Sequence, residues 1–399
     1  MNPRYITDIN MLEHLSKEEK EKLEPVVEKY PFYANTYYLG LIDWEDPNDP
    51  IRRIIIPSND ELRNGGALDP SNERRYTVCR GLEHKYGPTA LLLVSRACGG
   101  VCRFCFRKRI FMMDNDDAVP DLKEALKYIR GHREINNVLI SGGDPLMLPP
   151  KRIRRLISTL DSIPHVRFMR IGTKIPAYNP HRIIGNQDLL DVVREFSSSE
   201  KKLYFVTDFN HPRELTSQAK RALSQLQDAG AVITNQTPLL KGVNDDERVL
   251  SELFNGLASM GIPPYYVFQC RPTVGNSTFS VPIEKGYSIL EATKENTSGL
   301  AKRSRFIISH RTGKLEVCAL TGENIIFKYH NAAREEDTGR VLVFRRNENA
   351  TWLDDYTEMV ESFSPGDTAF SAKQRRLSDF LGAATTERTA HEQETLSPT

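Results

Sequence analysis

Cys98-Gly-Gly-Val-Cys102-Arg-Phe-Cys105 gathers three thiols directly behind Leu91-Leu-Leu-Val94, an apolar run that reads as a buried strand. Three cysteines at this spacing on a strand-end loop are the ligand set of one iron–sulfur cluster. A four-iron cubane takes four thiolates, and Cys79, Cys270 and Cys318 are scattered singly. One iron is therefore left open to a small ligand, as catalytic metal sites keep a position open, and an open iron implies chemistry rather than electron storage. Zinc would need a fourth Cys or His close by, and none follows before His132. A disulfide framework is at odds with so few cysteines in 399 residues and with a start that does not read as a leader peptide. Zinc, or thiols that are buried or redox-active, are the other readings of the spacing.

The composition suits a large enzyme: 39% hydrophobic and 27% charged residues are ordinary for a globular chain. A formal net charge of +1 argues against a nucleic-acid or membrane partner. No apolar run approaches the roughly 18 residues of a membrane span. A cytoplasmic protein is expected, since a reducing compartment is also what a cluster needs.

The first 81 residues carry helical patterns at 11–23 and 26–34 and a Pro- and Asp-rich loop at 44–50, which predicts a small helical cap. Beyond residue 91, β-rich runs at 138–141, 166–172, 203–207, 232–235 and 265–269 alternate with amphipathic stretches at 122–130, 152–160, 187–196, 214–229 and 247–260. Such alternation implies an α/β fold of parallel βαβ units. A partial (β/α)6 barrel and a doubly wound sheet satisfy the periodicity equally. Either brings the strand ends, with the three cysteines, Asp144, Thr173, Asn210, His211, Gln236 and Arg271, to one face. Further β-rich runs lie at 306–309, 315–320 and 325–329, and the polar stretch past 365 is expected to be disordered.

Several ordered motifs accompany the cysteines: Arg107 and Arg109, Ser141-Gly-Gly-Asp-Pro-Leu146, Arg170-Ile-Gly-Thr173, Phe209-Asn-His-Pro212, Asn235-Gln236, Leu240-Lys-Gly-Val-Asn-Asp245 and Gln269-Cys270. Together they resemble the lysine 2,3-aminomutase family of radical S-adenosylmethionine (SAM) enzymes over roughly residues 82–327. The resemblance implies the barrel: a partial (β/α)6 radical SAM barrel at 82–300, the helical cap at 1–81, a C-terminal α+β extension at 301–365 and a tail at 366–399. It implies a [4Fe-4S] cluster on Cys98, Cys102 and Cys105, with SAM near Ser141, Gly142, Gly143, Asp144, Thr173, Asn210, His211 and Gln236. An ordinary βα turn, with Asp144 as a helix cap, is the plainer reading of the Gly-Gly-Asp stretch.

The resemblance further implies pyridoxal 5'-phosphate (PLP) held as a Schiff base by Lys314 in Arg311-Thr-Gly-Lys314, with Lys85 where the family has an arginine near PLP. A solvated lysine in a hairpin turn is the alternative. A second family arginine is replaced by Thr89, and Asp208 stands where lysine enzymes usually carry His. Arg107 matches the family's clamp on the substrate α-carboxylate, a task suited to a bidentate guanidinium. Lysine-specific members hold the distal ammonium with two aspartates; here Arg271 occupies one position and 307–313 contain no acid. Lysine should be repelled, and a side chain ending in carboxylate should be drawn to Arg271 and Ser309, as in a glutamate 2,3-aminomutase.

The implied reaction is an isomerisation in which a SAM-derived radical abstracts hydrogen from Cβ and the amino group migrates from Cα to Cβ. The alternatives are lysine 2,3-aminomutase itself, a PLP-independent radical SAM enzyme, and a non-enzymatic iron–sulfur or zinc protein. A flavodoxin- or ferredoxin-type electron donor is implied. No cysteine follows Cys318, so the interfacial zinc site of the lysine enzymes is not expected, and the reading is equally compatible with a homo-oligomer of another kind.

Overall fold

The computed structural model describes residues 3–112 and 121–365; the tail expected to be disordered lies outside the described residues. Thirteen strands form one sheet in strict chain order. Two short antiparallel strands, β1 (Thr77–Cys79) and β2 (Leu82–Tyr86), lead into six parallel ones: β3 (Thr89–Ser95), β4 (Asn137–Gly142), β5 (Phe168–Thr173), β6 (Leu203–Thr207), β7 (Val232–Leu239) and β8 (Pro264–Gln269). A seventh, β9 (Arg305–His310), is parallel to β8. The sheet then runs antiparallel through β10 (Gly313–Leu320), β11 (Asn324–Ala332), β12 (Val341–Arg345) and β13 (Met359–Phe363). The C-terminal strands thus extend the barrel sheet itself.

Crossover helices cover the outer face: Leu122–Gly131, Pro150–Asp161, Gln187–Glu195, Ser217–Asp228 and Glu247–Ala258, with Ile283–Glu295 before β9. Outward strand residues such as Val138, Ile140, Met169, Ile171 and Phe205 are buried in one core with helix residues Ile157, Leu160, Val193, Leu226 and Leu257. The alternate positions Asn137, Arg170, Tyr204 and Thr234 line a cavity of about 700 Å³. Period-2 alternation thus turns one side of each strand to the helices and the other to the cavity.

The N-terminal region forms one long helix, Lys17–Lys29, rather than the two expected. A capping box of Ser16 and Glu19 starts it, and it passes through Pro25. The chain leaves it at Tyr30, and Ala34–Asn35 pairs with Tyr5–Ile6 instead of forming a second helix. This cap has its own core, in which Ile6, Val26, Tyr38, Ile51, Ile54 and Ile55 meet Phe104, Tyr178 and Leu240 of the barrel. The cap therefore packs against the cysteine loop.

Candidate functional site

The three cysteines lie on the loop after β3. Val101 N–H bonds to the Tyr33 carbonyl and Arg103 N–H to that of Ile54, both at 2.8 Å, which ties the loop to the cap. Between the cysteines, buried Arg103 makes a two-pronged pair with buried Glu61 (2.8 Å twice), and Glu61 also accepts from Lys108 at 3.2 Å. Two glycines fit closely here: a Cβ on Gly99 would lie 2.9 Å from Ile175 Cδ1 and 3.0 Å from Tyr178 Cβ, and one on Gly100 would lie 3.0 Å from Ile55 Cδ1. The six cysteines are free, and burial raises the thiols of Cys98, Cys102 and Cys105. Deprotonation there needs a strong cationic partner, which iron supplies. Among the described residues no three His, Cys, Asp or Glu converge on a single-ion position; thiolates spread over separate irons of a cubane need no such convergence.

The Ser141-Gly-Gly-Asp144 turn at the end of β4 packs on that loop. Gly143 N–H bonds to the Ser95 carbonyl (2.6 Å) and Asp144 N–H to the Ala97 carbonyl (2.7 Å). A Cβ on Gly143 would stand 2.9 Å from the Ala97 carbonyl carbon, so this glycine is demanded by close backbone approach. Gly142 has φ +131°, a conformation few side chains tolerate. Asp144 is fully engaged within the protein: it accepts from Thr173 Oγ1 (2.8 and 2.9 Å), Lys174 N–H (2.7 Å) and Leu146 N–H (3.0 Å). Burial nevertheless pushes it up to about 6. Asp144 and Thr173 thus lock β4 to β5, the capping role.

Glu214, fully buried, organises the Phe209-Asn-His stretch by accepting from Asn210 N–H (2.5 Å), Tyr38 Oη–H (2.6 Å) and Lys174 (2.9 Å). Lys174 also donates to the Asp208 carbonyl at 2.6 Å. Asn244 Nδ2 donates to the Asn210 carbonyl (2.9 Å), and Asn235 brackets Phe209 through both amide atoms (2.9 and 3.1 Å). With its backbone pinned, the Asn210 amide is buried, its oxygen without a partner and its nitrogen facing the Asp208 carboxylate without good hydrogen-bond geometry. A buried amide in that state fits a site built for a polar ligand. His211 Nδ1 accepts from Arg213 N–H (3.2 Å), and burial lowers the ring. Gln236 is half-buried inside β7, in register with Tyr266 of β8.

At the β8–β10 side the cations converge. Arg107 grips Glu73 with two prongs (Nη2 2.8 Å, Nε 3.2 Å), and its Nη1 is 3.5 Å from Ser141 Oγ. Arg109 reaches the same carboxylate at 2.6 Å and Arg271 lies 3.7 Å from it. Burial alone would raise Glu73; Arg107, Arg109 and Arg271 outweigh it and hold the carboxyl far below its usual range. Neighbouring Glu83 is raised, by burial and by Glu73. Arg271 donates to Ser309 Oγ (3.0 Å), stacks 3.6 Å over Phe106, and keeps Nη1 buried without a hydrogen bond.

Lys314, opposite Ser309 in the β9–β10 register, sits half-buried 5.1 Å from the Tyr266 ring, 5.8 Å from Phe268 and 5.9 Å from Tyr86. Burial, then Arg170, Arg271 and Lys85, lower it to about 7. A desolvated amine among cations is of the kind that forms imines, and its half-buried place in β10 is not that of a solvated lysine. A Cβ on Gly313 would lie 2.9 Å from Ala332 Cα, which explains the glycine before it. Lys85 donates to the His310 carbonyl (2.6 Å), and burial lowers it to about 8. Arg311 is bound two-pronged by Asp354 (2.8 and 2.9 Å).

Glu73, Glu61 and Glu214 escaped the sequence reading. Their ion pairs act across tens of residues; locally, Glu61 and Glu214 carry the capping-box spacing three residues after Ser58 and His211, whereas Glu73 has no such mark. Against known proteins, the Radical SAM superfamily pattern matches residues 92–253. A chain from Aquifex aeolicus (strain VF5), provisionally named L-lysine 2,3-aminomutase, is 51% identical over 90% of this chain and 96% of that one. The L-lysine 2,3-aminomutase of Clostridium subterminale is 38% identical (71% and 68%), and the glutamate 2,3-aminomutase of Clostridioides difficile (strain 630) is 34% identical (74% and 70%).

Proposed function

The chain belongs to the lysine 2,3-aminomutase family of radical SAM enzymes, isomerases that work with a four-iron cluster, SAM and PLP, and we propose that it acts on an amino acid whose side chain ends in carboxylate. When bound, the cluster and SAM supply a carbon radical, and PLP carries the migrating amino group. Cys98, Cys102 and Cys105 would hold the cluster, and Lys314 the PLP. No helix of the described residues is long and apolar enough to cross a membrane, and the reductant would be a flavodoxin- or ferredoxin-type donor.

The cation excess around Glu73 carries the substrate reading. Arg107, Arg109 and Arg271 face Glu73, with Asp69 3.9 Å from Arg109, so guanidinium groups outnumber these two carboxylates and an unsatisfied Arg271 N–H remains beside Ser309. Arg107 would take the α-carboxylate through the edge that Glu73 does not use, and Arg271 with Ser309 the distal one. A lysine ammonium would meet only acids already paired with arginine. Lysine as substrate is the second reading, favoured by the names of several relatives.

Reconstituted enzyme with SAM, PLP and dithionite should convert glutamate to its β-isomer and leave lysine, arginine and alanine unchanged. Turnover of lysine alone overturns the reading.

A further inference from the structure

We propose that Tyr178 is the hydrogen-bond donor that tunes the iron–sulfur cluster, through its hydroxyl on the sulfur of Cys102. The Tyr178 hydroxyl lies 2.8 Å from Cys102 Sγ, the one hydrogen bond it has among the described residues. The residue is fully buried, and a buried phenol needs a partner. Once the sulfur is a metal-bound thiolate it has no proton to give, so the phenol must be the donor.

The surroundings fix that geometry. Tyr178 ends the single turn Ile175–Tyr178 after β5. Buried Asn35 donates both to its carbonyl and to that of Gly99, each at 2.9 Å, clamping the tyrosine to the cysteine loop. The Tyr38 ring meets it edge-on at 4.3 Å, and the Lys174 ammonium lies 5.2 Å from its ring centroid. Glycine at 99 lets the loop close on this residue, since a Cβ there would lie 3.0 Å from Tyr178 Cβ.

Reduction adds one electron to the cluster from an external low-potential reductant, with no proton taken up. The added charge spreads onto the sulfurs, so a donor on one sulfur stabilises the reduced form more than the oxidised one, and hydrogen bonds to sulfur are among the levers that set such potentials. The hydrogen bond should therefore make the cluster easier to reduce.

The test is an EPR-monitored titration with dithionite on anaerobically reconstituted full-length protein. Tyr178→Phe, with iron and sulfide content matching the parent, should show a midpoint shifted to more negative potential. Replacing Tyr178 by 3-fluorotyrosine, a stronger donor of nearly the same shape, should shift it the other way. An unchanged midpoint in the fluorinated protein, or shifts of the same sign in both, overturns the proposal. Should the Phe protein fail to retain its iron, the fluorinated protein alone decides by the same criterion. The readout is independent of the amino acid substrate.

Discussion

Glu73→Gln removes the carboxylate that three guanidinium groups share. The carboxylate accepts from Arg107 at 2.8 and 3.2 Å and from Arg109 at 2.6 Å, with Arg271 at 3.7 Å, and it is 6% exposed. Solvent screening is therefore slight. Deleting one partner of a buried ion pair costs about 3–5 kcal/mol, because the remaining charge is left uncompensated. A glutamine carbonyl still accepts one N–H, which favours the lower end, about 3 kcal/mol. With a urea m-value of about 3 kcal/mol/M, the unfolding midpoint should fall by roughly 1 M. The folded-state pKa of Glu73 is depressed, so this stability is present above the unfolded carboxyl value. The gap between parent and variant should be full at neutral pH and shrink as pH falls below about 4. Added glutamate, which brings negative charge to the same arginines, should raise the midpoint more in the variant than in the parent. A midpoint unchanged within about 0.2 M at neutral pH would refute the reasoning, since it would mean that the arginines need no internal counter-ion.

Lys314→Ala should abolish the visible absorbance of bound PLP, and in the parent that absorbance should grow with pH around 7, the value to which burial and its cationic neighbours bring the amine; a midpoint near 10 would contradict this. Arg271→Asp should shift preference from acidic toward basic amino acids by at least about a hundredfold in the ratio of kcat/KM, roughly 3 kcal/mol; competition assays with glutamate and lysine measure it. Gly143→Ala places a methyl against the Ala97 carbonyl and should lower iron content after reconstitution, whereas Gly131→Ala, which meets nothing within 4 Å, should leave it unaltered.

The strands that position the site were legible because Val- and Ile-rich runs between turn residues have few other uses. β4, β5, β6 and β8 lie within two residues of where periodicity put them. β7 was cut short at 235 because Asn235 and Gln236 do not resemble strand interior; in the barrel their side chains meet buried polar partners or the inner face, and the strand continues to Leu239. The helix at Ile283–Glu295 was missed because Gly286 interrupts its buried stripe; a Cβ there would lie 2.8 Å from Leu239 and Phe306 side-chain atoms. In the site, the cysteines were readable from chemistry and spacing, and Arg271, Ser309 and Lys314 through the family resemblance. Their counter-ions were not: Glu73 lies 34 residues from Arg107, and Glu61 lies 42 from Arg103. Only tertiary structure brings such pairs together.

Because every strand of the thirteen-stranded sheet lies beside its sequence predecessor among the described residues, no strand of it is threaded between two earlier ones. The sheet can therefore grow as the chain leaves the ribosome. The cysteine loop and its clamps on β4 and β5 come out of the exit tunnel well before Lys314 on β10. Metal insertion can thus precede completion of the lysine-bearing edge, and a nascent or prematurely terminated chain able to hold iron would still lack the anchor for its second cofactor.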